Sequence, residues 1–464
     1  MASRFLNISV ERCTPILMLL LTASLFGVQA GFAQNIEPAA AMDREMSAVY
    51  QPENPGAAVV VVKNGQVIFR KGYGMANLEL QVPMKPEMVF RLASVTKQFT
   101  AVAIMMLFEQ GKLSLHDELT KFFPDYPAAG RKITVENLLT HTSGIKDYIN
   151  KVWPARMTEN LEPQQLIDLF KNESLEFEPS TKEEYANANY VLLGAIIEKL
   201  SGQDYAQFIE QQIFKPLGMT HSSYCRTQPL MANRASGYLK RDNVYINAAY
   251  FSMTQLFAAG AMCSSVDDLA LWDAAISANK LLKPGSWDQI FTPYKLSSGV
   301  TEGYAYGWVI SKFLERPIAS HAGGIPGFRA YVMRIPGAQL YIALLSNDET
   351  ADTQPEYVAK RLAAIALGQP LSEPKIIKLD PAILDSYIGQ YSDGSDSFTI
   401  VRRGDRLFGQ APRDPEVELF AVSQTEFIIK AFDARIEFLK DANGRVTALV
   451  ERAGGESGTL KKIK

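Results

Sequence analysis

The sequence predicts an α/β (α+β) protein: an antiparallel sheet flanked by helices, a helical lobe set against it, and a small all-β barrel-like domain after both. Three observations carry this. A strand–turn–strand run, "GAAVVVVKNGQVIFRKGYG" (56–74), opens the main part. Four further strand-like runs lie close together at 304–347, with helical patterns between. Strands drawn from both ends of a segment, with helices in the middle, build one antiparallel sheet and a helical layer. Beyond residue 383 only short alternating runs follow, divided by Gly and Asn turns, which is the pattern of a small barrel or sandwich.

In chain order, residues 1–33 read as a secretory signal peptide. Arg4 and Arg12 give a basic start, "ILMLLLTASLFGV" (16–28) an apolar core, and "GFA" (31–33) small residues at a cleavage site, with a cut after Ala30 close behind. The apolar run is short for a bilayer span, and Cys13 precedes it, out of place for lipidation. The mature chain is therefore expected to be periplasmic or secreted, with no stable membrane anchor. The main domain, 34–367, starts with a short helix at 41–50 and the hairpin, whose Asn64-Gly65 is a strong tight-turn signal. A long buried helix is expected at about 94–110, then a loop-rich stretch, 111–180, with short helices at 134–141 and 163–172. Helices at 189–201, 204–214 and 265–277 complete the lobe. Strands at 304–311, 316–323, 329–336 and 340–347 and a helix at 356–367 close the domain. The Pro-containing stretch 368–381 is a linker, and 382–464 forms the β domain.

The 464 residues carry a net charge of −3, with 47% hydrophobic and 21% charged side chains. That balance gives no basic surface for nucleic acid. In an oxidising compartment the two cysteines left after cleavage, Cys225 and Cys263, are candidates for a disulfide. The four histidines, His116, His141, His221 and His321, show no metal-ligand spacing. No metal or other cofactor is expected.

The chemistry is concentrated in "RLASVTKQFTAVAIMMLFE" (91–109), where Lys97 is the one charge between Arg91 and Glu109. A lysine in the first turn of an apolar helix is disfavoured by the helix dipole. Three residues after Ser94, it shares a face with that serine and reaches its hydroxyl. Burial and the positive helix end both push it toward a neutral amine, so the pair has the makings of an activated nucleophile. Ser-x-x-Lys recurs at Ser143/Lys146, Ser277/Lys280 and Ser372/Lys375, but only Ser94 opens a long apolar helix. Tyr-x-Asn, able to supply a proton shuttle and a hydrogen-bonding partner, occurs at Tyr148/Asn150, Tyr185/Asn187 and Tyr245/Asn247. Of these, Tyr185 and Asn187 stand at the entrance of a helix with a clear apolar face. The third element, "SHAGGIPGF" (320–328), places His321, a side chain able to donate a hydrogen bond to substrate near neutral pH, at a strand end before Gly323 and Gly324, where small residues let backbone approach a substrate. Taken singly, each element is as readily structural.

As a set, "SVTK" (94–97), "YAN" (185–187) and "HAG" (321–323) resemble the serine β-lactamase and penicillin-binding superfamily, in the branch of class C β-lactamases, D-Ala-D-Ala carboxypeptidases, D-aminopeptidases and esterases. "NLLTHTSGI" (137–145), "NYVLLGAIIEKLSG" (189–202), "KPLGMTHSSY" (215–224) and "AAGAMCSSVDDLALW" (258–272) add to the likeness, which covers about 40–367. The tail resembles the lipocalin-like accessory domain of some of these hydrolases. The resemblance implies that Ser94 attacks an amide or ester carbonyl and is acylated. Lys97 or Tyr185 takes its proton, Tyr185 shuttles a proton to the leaving group, and Asn187 orients Lys97 or the substrate. The N–H groups of Ser94 and Gly324 would form the oxyanion hole. His321 stands where β-lactamases of this branch carry Lys, so a peptidase or esterase acting on small molecules or short D-amino-acid peptides ranks above a dedicated β-lactamase. A catalytically silent penicillin-binding or sensor protein is the alternative of another kind. Arg329, past the "IPGF" loop, reads as a solvated strand residue.

Overall fold

The computed structural model describes residues 38–463 apart from 128–129, 350–353, 373, 395–396, 413–415, 431–433 and 454–455. The expected signal peptide lies outside the described residues. Helix α1 (38–49) leads into β1 (Ala57–Lys63) and β2 (Gln66–Tyr73), joined over Asn64 and Gly65 at φ 52° and 73°. Strands β3 (Val309–Phe313), β4 (Arg316–Ile325), β5 (Phe328–Ile335) and β6 (Leu340–Ser346) complete a six-stranded sheet in the order β3-β4-β5-β6-β1-β2. β1 runs antiparallel to β6, with Ala57 opposite Ser346 and Lys63 opposite Leu340, so the two ends of the domain meet in mid-sheet.

The helical lobe covers one face of this sheet, around α2 (Lys97–Glu109), α3 (Asn187–Ser201) and α4 (Val266–Ser277). Helices α1 and α5 (Pro355–Ala366) cover the other. This explains the unbroken "AAVVVV" of β1. Ala58, Val60 and Val62 enter the lobe core, whereas Ala57, Val59 and Val61 pack with Met42, Met46 and Leu362. A strand buried on both faces has no use for polar alternation. Helix α2 is similarly apolar all round because it is enclosed, every residue from Lys97 to Met105 being buried.

Several boundaries differ from the sequence expectation. The helix expected from residue 94 opens as a 3₁₀ turn, Ala93–Thr96, before α2. The strand expected at 304–311 begins at Val309, because Gly307 takes φ 77° where its missing Cβ leaves room for the Lys97 carbonyl. Helix 204–214 divides into Tyr205–Ile209 and a π turn, Glu210–Phe214.

The C-terminal part is a closed eight-stranded barrel. Six of its strands match the expected runs. The other two, Gly389–Ser392 and Glu456–Lys462, pair with each other at Tyr391 and Lys462 and close it. Its interior is filled by Tyr387, Tyr391, Ile400, Leu407, Phe427, Ile436, Phe438 and Leu449, so it is a packed core. The linker reading of 368–381 needs correction at its end: the Ile377 N–H bonds to Ala421 O, and Ile377 and Leu379 pack on the barrel core.

Candidate active site

The turn carrying Ser94 is held from three sides. Ala93 takes φ 47°, an uncommon conformation for a residue with a side chain, immediately before Ser94. The Leu92 N–H bonds to Met262 O at 2.8 Å, and the Met262 N–H bonds to Thr96 Oγ1 at 3.0 Å. Next along this short strand, Cys263 is joined to Cys225 in a disulfide with Cα atoms 5.4 Å apart. On the third side runs β4, whose pairing with β3 ends at Ser320. Its edge from His321 to Ile325 is therefore open toward the turn. A Cβ on Gly323 would lie 2.2 Å from Leu92 O. The space at Gly323 is thus filled by the turn carrying Ser94, correcting the expectation that it accommodates substrate. Gly324 is the exposed glycine facing the cleft.

Lys97, fully buried at the start of α2, has three partners: Ser94 Oγ at 3.2 Å, Asn187 Oδ1 at 3.0 Å and Ala259 O at 2.8 Å. The last two are pure acceptors. A neutral amine has two N–H groups and one lone pair, so two donations leave the lone pair for the Ser94 hydroxyl. Burial pushes Lys97 down to about 7, with the Asp147 carboxylate acting in the opposite sense. Gly194 of α3 serves the same geometry, since a Cβ there would lie 2.4 Å from that of Ala258, in the turn that presents Ala259 O.

Tyr185 and Asn187 arrive from the entrance of α3, as the sequence suggests. The Tyr185 hydroxyl lies beside Ser94, which opposes the rise that burial causes in it, and its ring centre lies 4.6 Å from Lys97 Nζ. Tyr185 is 42% exposed as a residue, while desolvation of its hydroxyl raises it above the usual phenol range. It is a neutral phenol at physiological pH. Asn187 Nδ2 donates to Asp147 Oδ2 at 3.0 Å.

His321 is engaged differently from the expectation of a donor to substrate. Nδ1–H donates to Ala322 O at 2.6 Å, which leaves Nε2 to accept from the Tyr304 hydroxyl at 2.9 Å. Burial, with Lys97 adding to it, drives the imidazole down to about 3. His321 is neutral, with no N–H directed at a ligand. Arg329 corrects the reading of a solvated strand residue. Its side chain, 23% exposed, lines the same cleft of about 320 Å³ as Ser94, Trp153, Phe251 and Glu349. There Nη1 donates to Ile325 O and Phe328 O, and Nη2 stands 3.6 Å from Glu349 Oε1.

Three other residues at the site were not singled out in the sequence. Asp147 stood unremarked in the loop-rich stretch 111–180, and Tyr304 at the start of the strand expected at 304–311. His141, inside "THTSGI", accepts at Nδ1 from the Ala186 N–H (3.2 Å) and Asn189 Nδ2 (3.0 Å), and packs 4.4 Å from the Tyr185 ring. Its left-handed φ of 57° turns it inward. No group of three or more His, Cys, Asp or Glu suited to a metal occurs among the described residues.

Comparison with known proteins gives a consistent set. The Beta-lactamase family profile matches residues 32–367. Penicillin-binding protein 4* of Bacillus subtilis (strain 168) is 29% identical over 427 residues, covering 87% of this chain and 94% of its own. The structure of an octameric penicillin-binding protein homologue from Pyrococcus abyssi superposes with TM-score 0.66 at 26% identity, over 92% of this chain and 98% of that one. A D-amino acid amidase from Ochrobactrum anthropi SV3 shares the fold, with TM-score 0.62 at 23% identity over 70% and 98% of the two chains.

Proposed function

The chain belongs to the beta-lactamase family, whose fold is that of serine hydrolases, and on that premise we propose that it is an exported hydrolase acylated on Ser94 by small amides or esters. One observation carries this reading: a buried Lys97, pushed down to about 7, has its Nζ 3.2 Å from Ser94 Oγ. At neutral pH such a base is about half deprotonated. As Ser94 Oγ bonds to the substrate carbonyl carbon, its proton passes to Lys97. The oxyanion is met by the N–H groups of Ser94 and Gly324, each such donor typically worth about 3 kcal/mol. Tyr185, beside Ser94 and kept as a phenol by burial, gives a proton to the leaving amine or alcohol and is reprotonated from Lys97. Water then attacks the acyl-enzyme by the reverse proton path, releasing acid and Ser94.

The neutral, doubly engaged His321 supports the ranking of peptidase or esterase above a dedicated β-lactamase. Arg329 in the cleft supports a second reading, in which carboxylate-bearing amides such as peptide termini or β-lactams are accepted. The likeness to a penicillin-binding protein points the same way. Labelling with a fluorescent fluorophosphonate and a fluorescent penicillin tests both. Wild type should be labelled and Ser94→Ala should not; a wild type inert to both probes leaves a binding or sensor protein.

A further inference from the structure

Asp147 has no role in the steps above, yet its carboxylate is bound into the site. It accepts from Asn187 Nδ2 at 3.0 Å on one oxygen and from the Tyr148 N–H at 2.9 Å on the other. Burial raises Asp147 above the usual carboxylate range, opposed by the Asn187 amide and Lys97; with an N–H donor on each oxygen it stands as an ionised carboxylate, which only accepts hydrogen bonds. It therefore fixes which way the Asn187 amide points: NH₂ toward Asp147, oxygen toward Lys97 Nζ, 3.0 Å away. With Asn187 reversed, its NH₂ would face an amine that already has to place its own hydrogens. We propose that Asp147 is a positioning residue for Lys97, holding the Asn187 oxygen on the amine and placing a carboxylate behind it. The proposal rests on the reading of Lys97 as the base.

The other groups around Lys97 cannot take this part. From the loop after Leu139 comes His141, from β4 His321, and both are neutral and buried. From α3 and its entrance come the rings of Tyr185 and Tyr190, 4.6 and 5.4 Å away, and both are phenols raised by burial. Asp147 itself is faced by Asn187, Tyr148, Tyr185 and Lys97, while Lys146 beside it in the chain is exposed. Burial lowers the proton affinity of Lys97 and Asp147 opposes it. Removing the carboxylate leaves burial unopposed and yields a weaker base that deprotonates at lower pH.

The test is the pH profile of kcat/KM with a neutral p-nitrophenyl ester, for wild type, Asp147→Asn, Asp147→Glu and Lys97→Ala. The acidic limb reports the base of the free enzyme. Asp147→Asn should move that limb down by about one pH unit, with a lower plateau, and Asp147→Glu should keep it within a few tenths of wild type. Asp147→Ser, also uncharged but still able to accept, replaces Asp147→Asn if melting curves show the latter unfolded. A limb that stays in place or rises in the uncharged variant overturns the proposal, whatever happens to the plateau. A full wild-type limb in Lys97→Ala would sink the base reading itself, an outcome separable because Asp147 is then intact.

Discussion

Lys97 Nζ lies 3.2 Å from Ser94 Oγ, one turn further along the chain, and no water is needed to complete its other bonds. The site thus stores an amine where a membrane-like environment would normally exclude one. That has a cost in stability. An unfolded lysine keeps its proton to about 10.5, whereas the folded one holds it only to about 7. Between those values the unfolded state binds more protons, so stability rises with pH across that window and is lowest below it. Lys97→Met, similar in shape and uncharged, should abolish turnover while raising Tm at pH 7 by about 2–4 °C. Thermal melts at pH 6, 7 and 9 check both statements, and the gain should shrink at pH 9.

Tyr185→Phe removes a hydroxyl and leaves the ring that packs on His141. The expectation is a loss of about 10²–10⁴ in kcat with KM within a few-fold and Tm almost unchanged. Steady-state kinetics on an ester and an amide read this directly, and the amide, with its poorer leaving group, should suffer more.

Arg329→Gln should discriminate between substrates. For a carboxylate-bearing ester kcat/KM should fall about 10–100-fold, and for its neutral methyl-capped analogue it should change less than about threefold. An equal fall for both would show that Arg329 serves the fold through its bonds to Ile325 O and Phe328 O.

Gly323→Ala places a methyl group 2.2 Å from Leu92 O, a backbone atom that cannot swing aside. The strand must retreat from the Ser94 turn. A stability loss of about 1–3 kcal/mol is expected, with activity falling further than denaturant melts account for.

The parts of this molecule legible in the sequence are those fixed by local spacing. Ser94 and Lys97 meet because residues three apart share a helical face, and Tyr185 and Asn187 flank one helix entrance. The sheet was legible from its apolar runs, and the "KNGQ" hairpin from its turn. What stayed hidden depends on contacts distant in sequence. Tyr304 reaches His321 only after β3 and β4 have paired, and that hydrogen bond is what converts a presumed donor into a neutral, occupied ring. Asp147 meets Asn187 across forty residues. Arg329 carries no pattern distinguishing a cleft-lining side chain from a solvated one. Glu456–Lys462 has weak apolar content, and only its pairing along Val446–Ala453 and, at the barrel's closure, with Gly389–Ser392 makes it a strand.

The central claim, acylation of Ser94 driven by Lys97, is tested most directly by intact-mass and peptide mapping of fluorophosphonate adduct formation across pH 5–9. The account predicts one adduct, on the peptide containing Ser94, forming at a rate that rises with pH through about 7, with none in Ser94→Ala. An adduct on another residue, or undiminished labelling of Ser94→Ala, would contradict it.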